Sequence, residues 1–231
     1  MNIVSVVTIL IILLGGVLGF KKGVIKTGVE LVGSICVLII AYALKDVLAN
    51  FLMKFMPFFN FAGIFNGISS INILIYEMVS FLVIFILLYC VLNILLSLSG
   101  AVEKLLKLTV VLAIPSKILG FILGLLDGII FAYLVAFVLL HLPQTESYVL
   151  ESKPATVVLE RTPFIGAVAL RTTLALEEIN DTIKDLKTDS DREKANFNVL
   201  HILLNYKIIS AEDAQALIDS GKLQIGKGIE I

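Results

Sequence analysis

An aspartate inside an apolar run is the residue of this sequence with the most chemistry to account for. Asp127 falls within Ile118 to Leu142, where no other charge occurs before His141, and at 1.5 Å of helical rise per residue it lies about 14 Å from the start of that run. A carboxyl group at such a depth costs about 2.5–3.5 kcal/mol on insertion scales, so something must compensate it. Glu30 poses a related problem. It follows Lys26 by four residues on one helical face and can pair with it across one turn. Lys26 can reach back to the interface along its own aliphatic stem, whereas the shorter Glu30, further in, cannot easily do so. Asp127, Glu30 and Lys26 are therefore candidates for a proton or ion path, the chemistry for which intramembrane carboxylates are suited. The plainer reading has Asp127 protonated, or paired with Lys26 or a backbone group, so that it sets helix register.

The elements that must position these residues follow from composition. Of 231 residues, 58% are hydrophobic and 16% charged, with a mean hydropathy of +1.02. Ordinary soluble domains are about 45–50% apolar and about 25% charged, which excludes a simple soluble enzyme. Charge is also unevenly spread, with 13 charged residues before residue 143 and 24 after it. The expectation is an all-α integral membrane protein of four spans, with a helical soluble tail. A transmembrane domain over 1–142 would hold spans at 3–20, 23–44, 78–102 and 118–142. An extended juxtamembrane segment and a helix would occupy 143–186, and a linker and small helical hairpin 187–231. A signal peptide is disfavoured for the first run because no basic stretch precedes it and no small-residue cleavage site follows.

Between the second and third spans, phenylalanines around Pro57 precede Asn66, Ser69, Ser70 and Asn72, a composition suited to an interfacial helix and a wet loop. A re-entrant segment lining a pore is the alternative. Lys21, Lys22, Lys26, Lys104, Lys107 and Lys117 outnumber Lys45, Lys54, Lys153 and Arg161, a small bias that places loops one and three in the cytosol and both termini outside. Cys36 and Cys90 lie in apolar runs without neighbouring Cys or His, and are read as buried free thiols. Asn93 is read as an interhelical hydrogen-bond partner.

Glycines supply the packing signal. Gly120, Gly124 and Gly128 form two overlapping GxxxG steps, and Gly15, Gly19 and Gly23 repeat that spacing. Each set leaves one helical face without side chains, so the faces of spans one and four are expected to meet each other, a second copy or another membrane protein. The shared spacing also raises the question of an internal repeat, with Leu14-Gly15 aligning with Leu119-Gly120.

Past the last span, Pro143, Pro154 and Pro163 predict a bent, extended connection. A helical pattern runs from Phe164 to Leu186, Lys187 to Asp191 reads as an exposed linker, and Phe197, Leu200 and Leu204 share a helical face. Ser210 reads as the N-cap of a helix ending at Gly221. A DNA-reading hairpin is disfavoured because the net charge is -1 and no basic surface accompanies it; nucleic acid is not expected as a partner. A docking site for a soluble protein remains open for the tail. No sequence signature of a nucleophile, metal site or phosphate loop occurs, so neither catalysis nor a cofactor or metal is expected, and His201 is read as a packed or surface residue.

The first hairpin, Leu18-Gly19-Phe20-Lys21-Lys22-Gly23-Val24 with Glu30, resembles that of the colicin V production (CvpA) family. So do the glycine-spaced segment from Ser116-Lys117 to Gly128 and the post-membrane stretches Glu151-Ser152-Lys153 and Arg161-Thr162-Pro163-Phe164. The resemblance covers roughly residues 1 to 165. It implies a bacterial inner (plasma) membrane protein of four spans, linked by name to toxin production and export, with no established reaction. Asn2 and Ser5 stand where an acid is usual in the family, Lys22 and Lys117 where Arg is frequent, and Asp127 where a neutral or basic residue is more familiar. The function expected is a helix-packing scaffold or accessory supporting toxin production, export or envelope homeostasis. The alternatives are a small ion- or proton-coupled transporter or channel using Asp127 and Glu30, and an anchor whose tail recruits a soluble partner.

Overall fold

The computed structural model describes residues 2–60, 67–98, 113–142, 144–162, 166–184 and 189–223, and every regular element there is a helix. In chain order these are α1 (Ile3–Lys22), α2 (Val24–Phe55), α3 (Ile71–Leu98), α4 (Ala113–Leu140), α5 (Glu146–Leu150), α6 (Lys153–Arg161), α7 (Gly166–Ile183), α8 (Asp189–Asn205) and α9 (Ala211–Asp219). The first four carry segments long and apolar enough to cross a bilayer. The protein is an all-α, multi-pass membrane protein.

Two compact units divide the chain, one of residues Met1–Leu44 and Phe81–Ala167, the other of Lys45–Ser80 and Val168–Ile231. In the first unit α1 begins at an Asn2 cap, whose side chain accepts the Ser5 amide at 2.9 Å. It ends at Gly23, whose φ of +80° makes the one-residue break before α2 and favours glycine. A ring ladder joins α3 to α4: Phe81 lies 5.6 Å from Phe137, and Tyr89 5.5 Å from Phe131, both edge-on. The Ser5 and Ser152 hydroxyls meet at 2.8 Å, and the Asn2 amide donates to the Tyr148 carbonyl at 2.6 Å, tying the start of α1 to α5 and α6.

The second unit is built by polar side chains that close on backbone. Asn196 of α8 donates to the Gly67 carbonyl at 2.8 Å, accepts the Ser70 amide at 3.2 Å, and accepts the Ser69 hydroxyl at 3.1 Å. Asn72 accepts the Phe59 amide at 2.7 Å and donates to the Phe59 and Ser69 carbonyls. Lys222 donates to the Met53, Lys54 and Met56 carbonyls at 2.5, 2.7 and 2.9 Å, covering the C-terminal end of α2. Lys45 forms ion pairs with the buried Glu77 and with the exposed Asp46.

Several expectations change here. The third apolar helix starts at Ile71 rather than 78, because Glu77, neutralised by Lys45, need not stay outside it. Ser70 and Asn72 are buried, so the polar residues after the phenylalanines serve this folded unit rather than a wet loop. In place of a separate interfacial helix, α2 runs on through Phe55; residues 61–66, the rest of that reading, lie outside the described residues, as do Lys104 and Lys107. The connection after α4 is bent but helical, since Pro154 occupies an opening position of α6, where a missing amide costs nothing. Helix α8 includes residues 189–191 of the expected linker. Ser210 does cap α9, accepting the Asp213 amide at 3.1 Å. Cys36 and Cys90 are exposed, not buried: outward faces of bilayer helices are as apolar as packed ones, so an apolar run does not say which way a thiol points. Asn93 bonds the Tyr89 carbonyl of its own helix at 2.7 Å rather than a neighbouring span.

Asn196→Ala leaves the Gly67 carbonyl and Ser70 amide without this partner, and is expected to destabilise the second unit by about 1–3 kcal/mol. Limited proteolysis of the full-length protein in detergent should show faster cleavage within α8 and α9 than in the parent; an unchanged rate would remove Asn196 from the list of stabilising contacts.

Candidate functional site

Helices α1 and α4 run antiparallel with their backbones touching. A methyl group added at Gly15 would come within 2.7 Å of the Gly128 Cα, and one at Gly19 within 2.8 Å of the Gly124 Cα. One at Gly120 would lie 3.0 Å from the Gly23 Cα. No larger residue fits this seam without separating the helices. All six glycines singled out in the sequence therefore lie in one contact within the first unit.

Beside this seam lies a cavity of about 290 Å3, with Gly15, Gly19, Gly124 and Gly128 in its wall and Lys22, Thr27, Glu30, Tyr89 and Asp127 as its polar side chains. The Lys22 ammonium bonds the Glu30 carboxylate at 2.6 Å. The expected partner, Lys26, makes no ion pair within 4 Å among the described residues, because the positive-φ turn at Gly23 folds Lys22 back over the first turns of α2. The Thr27 hydroxyl donates to the Gly19 carbonyl at 3.3 Å, crossing the same turn. Ser116 accepts the Val24 amide at 3.3 Å, satisfying an opening donor of α2 from α4.

Asp127 is placed differently. Its Oδ1 is buried without a hydrogen-bond partner, as is the Ser34 hydroxyl oxygen. Ser34 lies near enough for its hydroxyl to turn toward this carboxyl group as a hydrogen-bond donor, and Glu30 and Lys22 act on it through their charges. A buried polar atom left unmet costs about 1–3 kcal/mol, so a carboxyl oxygen in this position calls for compensation by a neighbouring donor, a proton or a water. Tyr89, which sequence reasoning passed over as one aromatic among many, shares the cavity with it. Lys22 and Tyr89 were the missed members of the site, and only the Lys21-Lys22-Gly23 turn hinted at the first. Lys45 and Glu77 were missed as a pair because 32 residues separate them. Among the described residues no three His, Cys, Asp or Glu side chains gather to hold a metal ion.

The order of these parts, a glycine-spaced hairpin, a second glycine-spaced span and a post-membrane helix, matches the family model described as colicin V production protein over residues 4–163. The chain belongs to the colicin V production protein family. The match runs from α1 to the end of α6, so the candidate site lies wholly within the family region, while α7, α8 and α9 lie beyond it. No curated protein and no solved structure matches the chain.

Lys22→Ala is expected to lower the stability of this family member in detergent by about 1 kcal/mol, the scale of a partly exposed ion pair, and Lys26→Ala by clearly less. The exchange Lys22→Glu with Glu30→Lys should recover most of the loss. Melting curves of the variants decide this; equal effects at 22 and 26 would dissolve the assigned pair.

Proposed function

We propose that this colicin V production family member is a non-catalytic helix-packing scaffold or accessory of the bacterial inner membrane, supporting toxin production or export, or envelope homeostasis. Both termini lie outside by the lysine bias of its loops. The supporting observation is the side-chain-free seam between α1 and α4, which holds the family region together by backbone contact. With the glycines turned on each other, contacts to lipid or to other membrane proteins fall to the outward apolar side chains of α1, such as Leu10, Leu13 and Val17.

A second reading is favoured by one specific observation, the unpartnered Asp127 oxygen on the cavity wall. In this reading Asp127 takes up and releases a proton or cation, with Lys22 and Glu30 beside it as a compensated pair. A transporter must let water reach Asp127 in some state, whereas a scaffold can keep it dry.

Two measurements separate the readings. Gly124→Leu, in a strain lacking the native gene and carrying the colicin V system, should reduce extracellular toxin to the level of the deletion, while Gly28→Leu, where an added methyl meets only the Leu123 side chain at 3.5 Å, should retain most of it. Parent-like toxin from Gly124→Leu would overturn the scaffold. For the second reading, Asp127→Cys in a Cys36→Ser, Cys90→Ser background should react with a small impermeant thiol reagent in intact membranes. Protection from both sides, with a loop cysteine labelling normally, would remove the ion path.

A further inference from the structure

Two carboxyl groups line the cavity beside the glycine seam. Glu30 is held by the Lys22 ammonium at 2.6 Å, while Asp127 keeps its Oδ1 without a partner. The charged and titratable groups facing Asp127 are Lys22 from α1, Glu30 from α2 and Tyr89 from α3. With Asp127 ionised and Tyr89 neutral they carry one net negative charge, and one bound positive charge brings the group to zero.

A metal cation is poorly served here. Calcium takes about six to eight oxygen ligands and magnesium about six in a strict octahedron, and a monovalent ion exchanges its hydration shell for several oxygens. In this unit the Asp127 Oδ1 and the Ser34 hydroxyl oxygen are, among the described residues, the two buried side-chain atoms left without a partner. The Thr27 hydroxyl is turned on the Gly19 carbonyl, and the Lys22 ammonium sets a positive charge beside any second cation. A proton has neither need, because it forms a single O–H bond and its coordination ends there.

Ser34 suits that exchange. A hydroxyl both donates and accepts, and it rotates to fit its neighbour. It can donate to an Asp127 carboxylate and accept from the carboxylic acid, so α2 serves α4 in both states without a backbone shift. An amide N–H in its place would serve the ionised state alone. Solvent is also near, since the Lys22 side chain is 35% exposed at the α1–α2 turn.

We propose that the ion of the Asp127 site is the proton. A hydronium ion gives its proton to Oδ1, forming an O–H bond and leaving water, while the Ser34 hydroxyl turns from donor to acceptor; no electron moves. This rests on the second reading, in which water reaches Asp127, and narrows it from any cation to one.

Infrared difference spectra of the full chain in phosphatidylcholine vesicles, stepped from acid to alkaline pH with choline as the added cation, read the carbonyl stretch of a protonated carboxyl group. The band belonging to Asp127 is the one lost in Asp127→Asn or, should that variant not fold, displaced in Asp127→Glu. It should vanish reversibly as pH rises. Replacing choline by sodium, potassium or magnesium at equal ionic strength should leave the midpoint within about two-fold in proton concentration, because a competing ion would lower the apparent proton affinity in proportion to its concentration over its Kd. A midpoint displaced roughly ten-fold or more by one of these ions would overturn the inference and leave the ion path standing with a metal cation. A band present or absent at every pH would also overturn it. If Asp127→Cys still labels in that case, the inference alone falls; if that cysteine is protected, the second reading falls with it.

Discussion

Everything in the family region depends on two helices touching backbone to backbone. In a bilayer, lipid tails compete with side chains on equal terms, so helices associate through close van der Waals packing rather than by escape from solvent. The glycines of α1 and α4 allow that approach over three consecutive steps. The same contact carries Gly23 to the α4 surface, where Ser116 receives the first amide of α2. The direction in which α2 leaves the hairpin, and so the position of Glu30 and Ser34, follows from it.

The chain handles buried charge in two ways. Glu30 and Glu77 each meet a lysine, and a paired carboxylate inside low dielectric is tolerable where a lone one is not. Asp127 keeps an oxygen without a partner, although Lys22 and Glu30 lie close enough to act on it. That contrast within one protein sets Asp127 apart from the two ion pairs, which are parts of the framework.

Local features were legible before any coordinates. The apolar runs, the Ser210 cap and the glycine spacing are set by near neighbours, and each has its counterpart in the structure. Reading failed where apolarity had two meanings. Cys36 and Cys90 sit in runs indistinguishable from packed ones, yet face outward. Asn72 and Ser70 looked like residues of a wet loop, yet are fully buried because the backbone around them uses their hydrogen bonds. The tail read as an independent hairpin, yet Asn196 and Lys222 spend their polar groups on residues more than 120 positions earlier.

What the sequence determined by itself was solvent and local geometry: which segments belong in hydrocarbon, where helices start and stop, and which faces lack side chains. These depend on composition and on interactions within a turn or two of the chain. Tertiary structure alone decided the pairings. Glu30 has Lys26 one turn away and Lys22 across a glycine break, and only the path of the chain through Gly23 selects the second. Lys45 and Glu77 meet because two distant helix segments are packed side by side, a registry that no spacing rule contains.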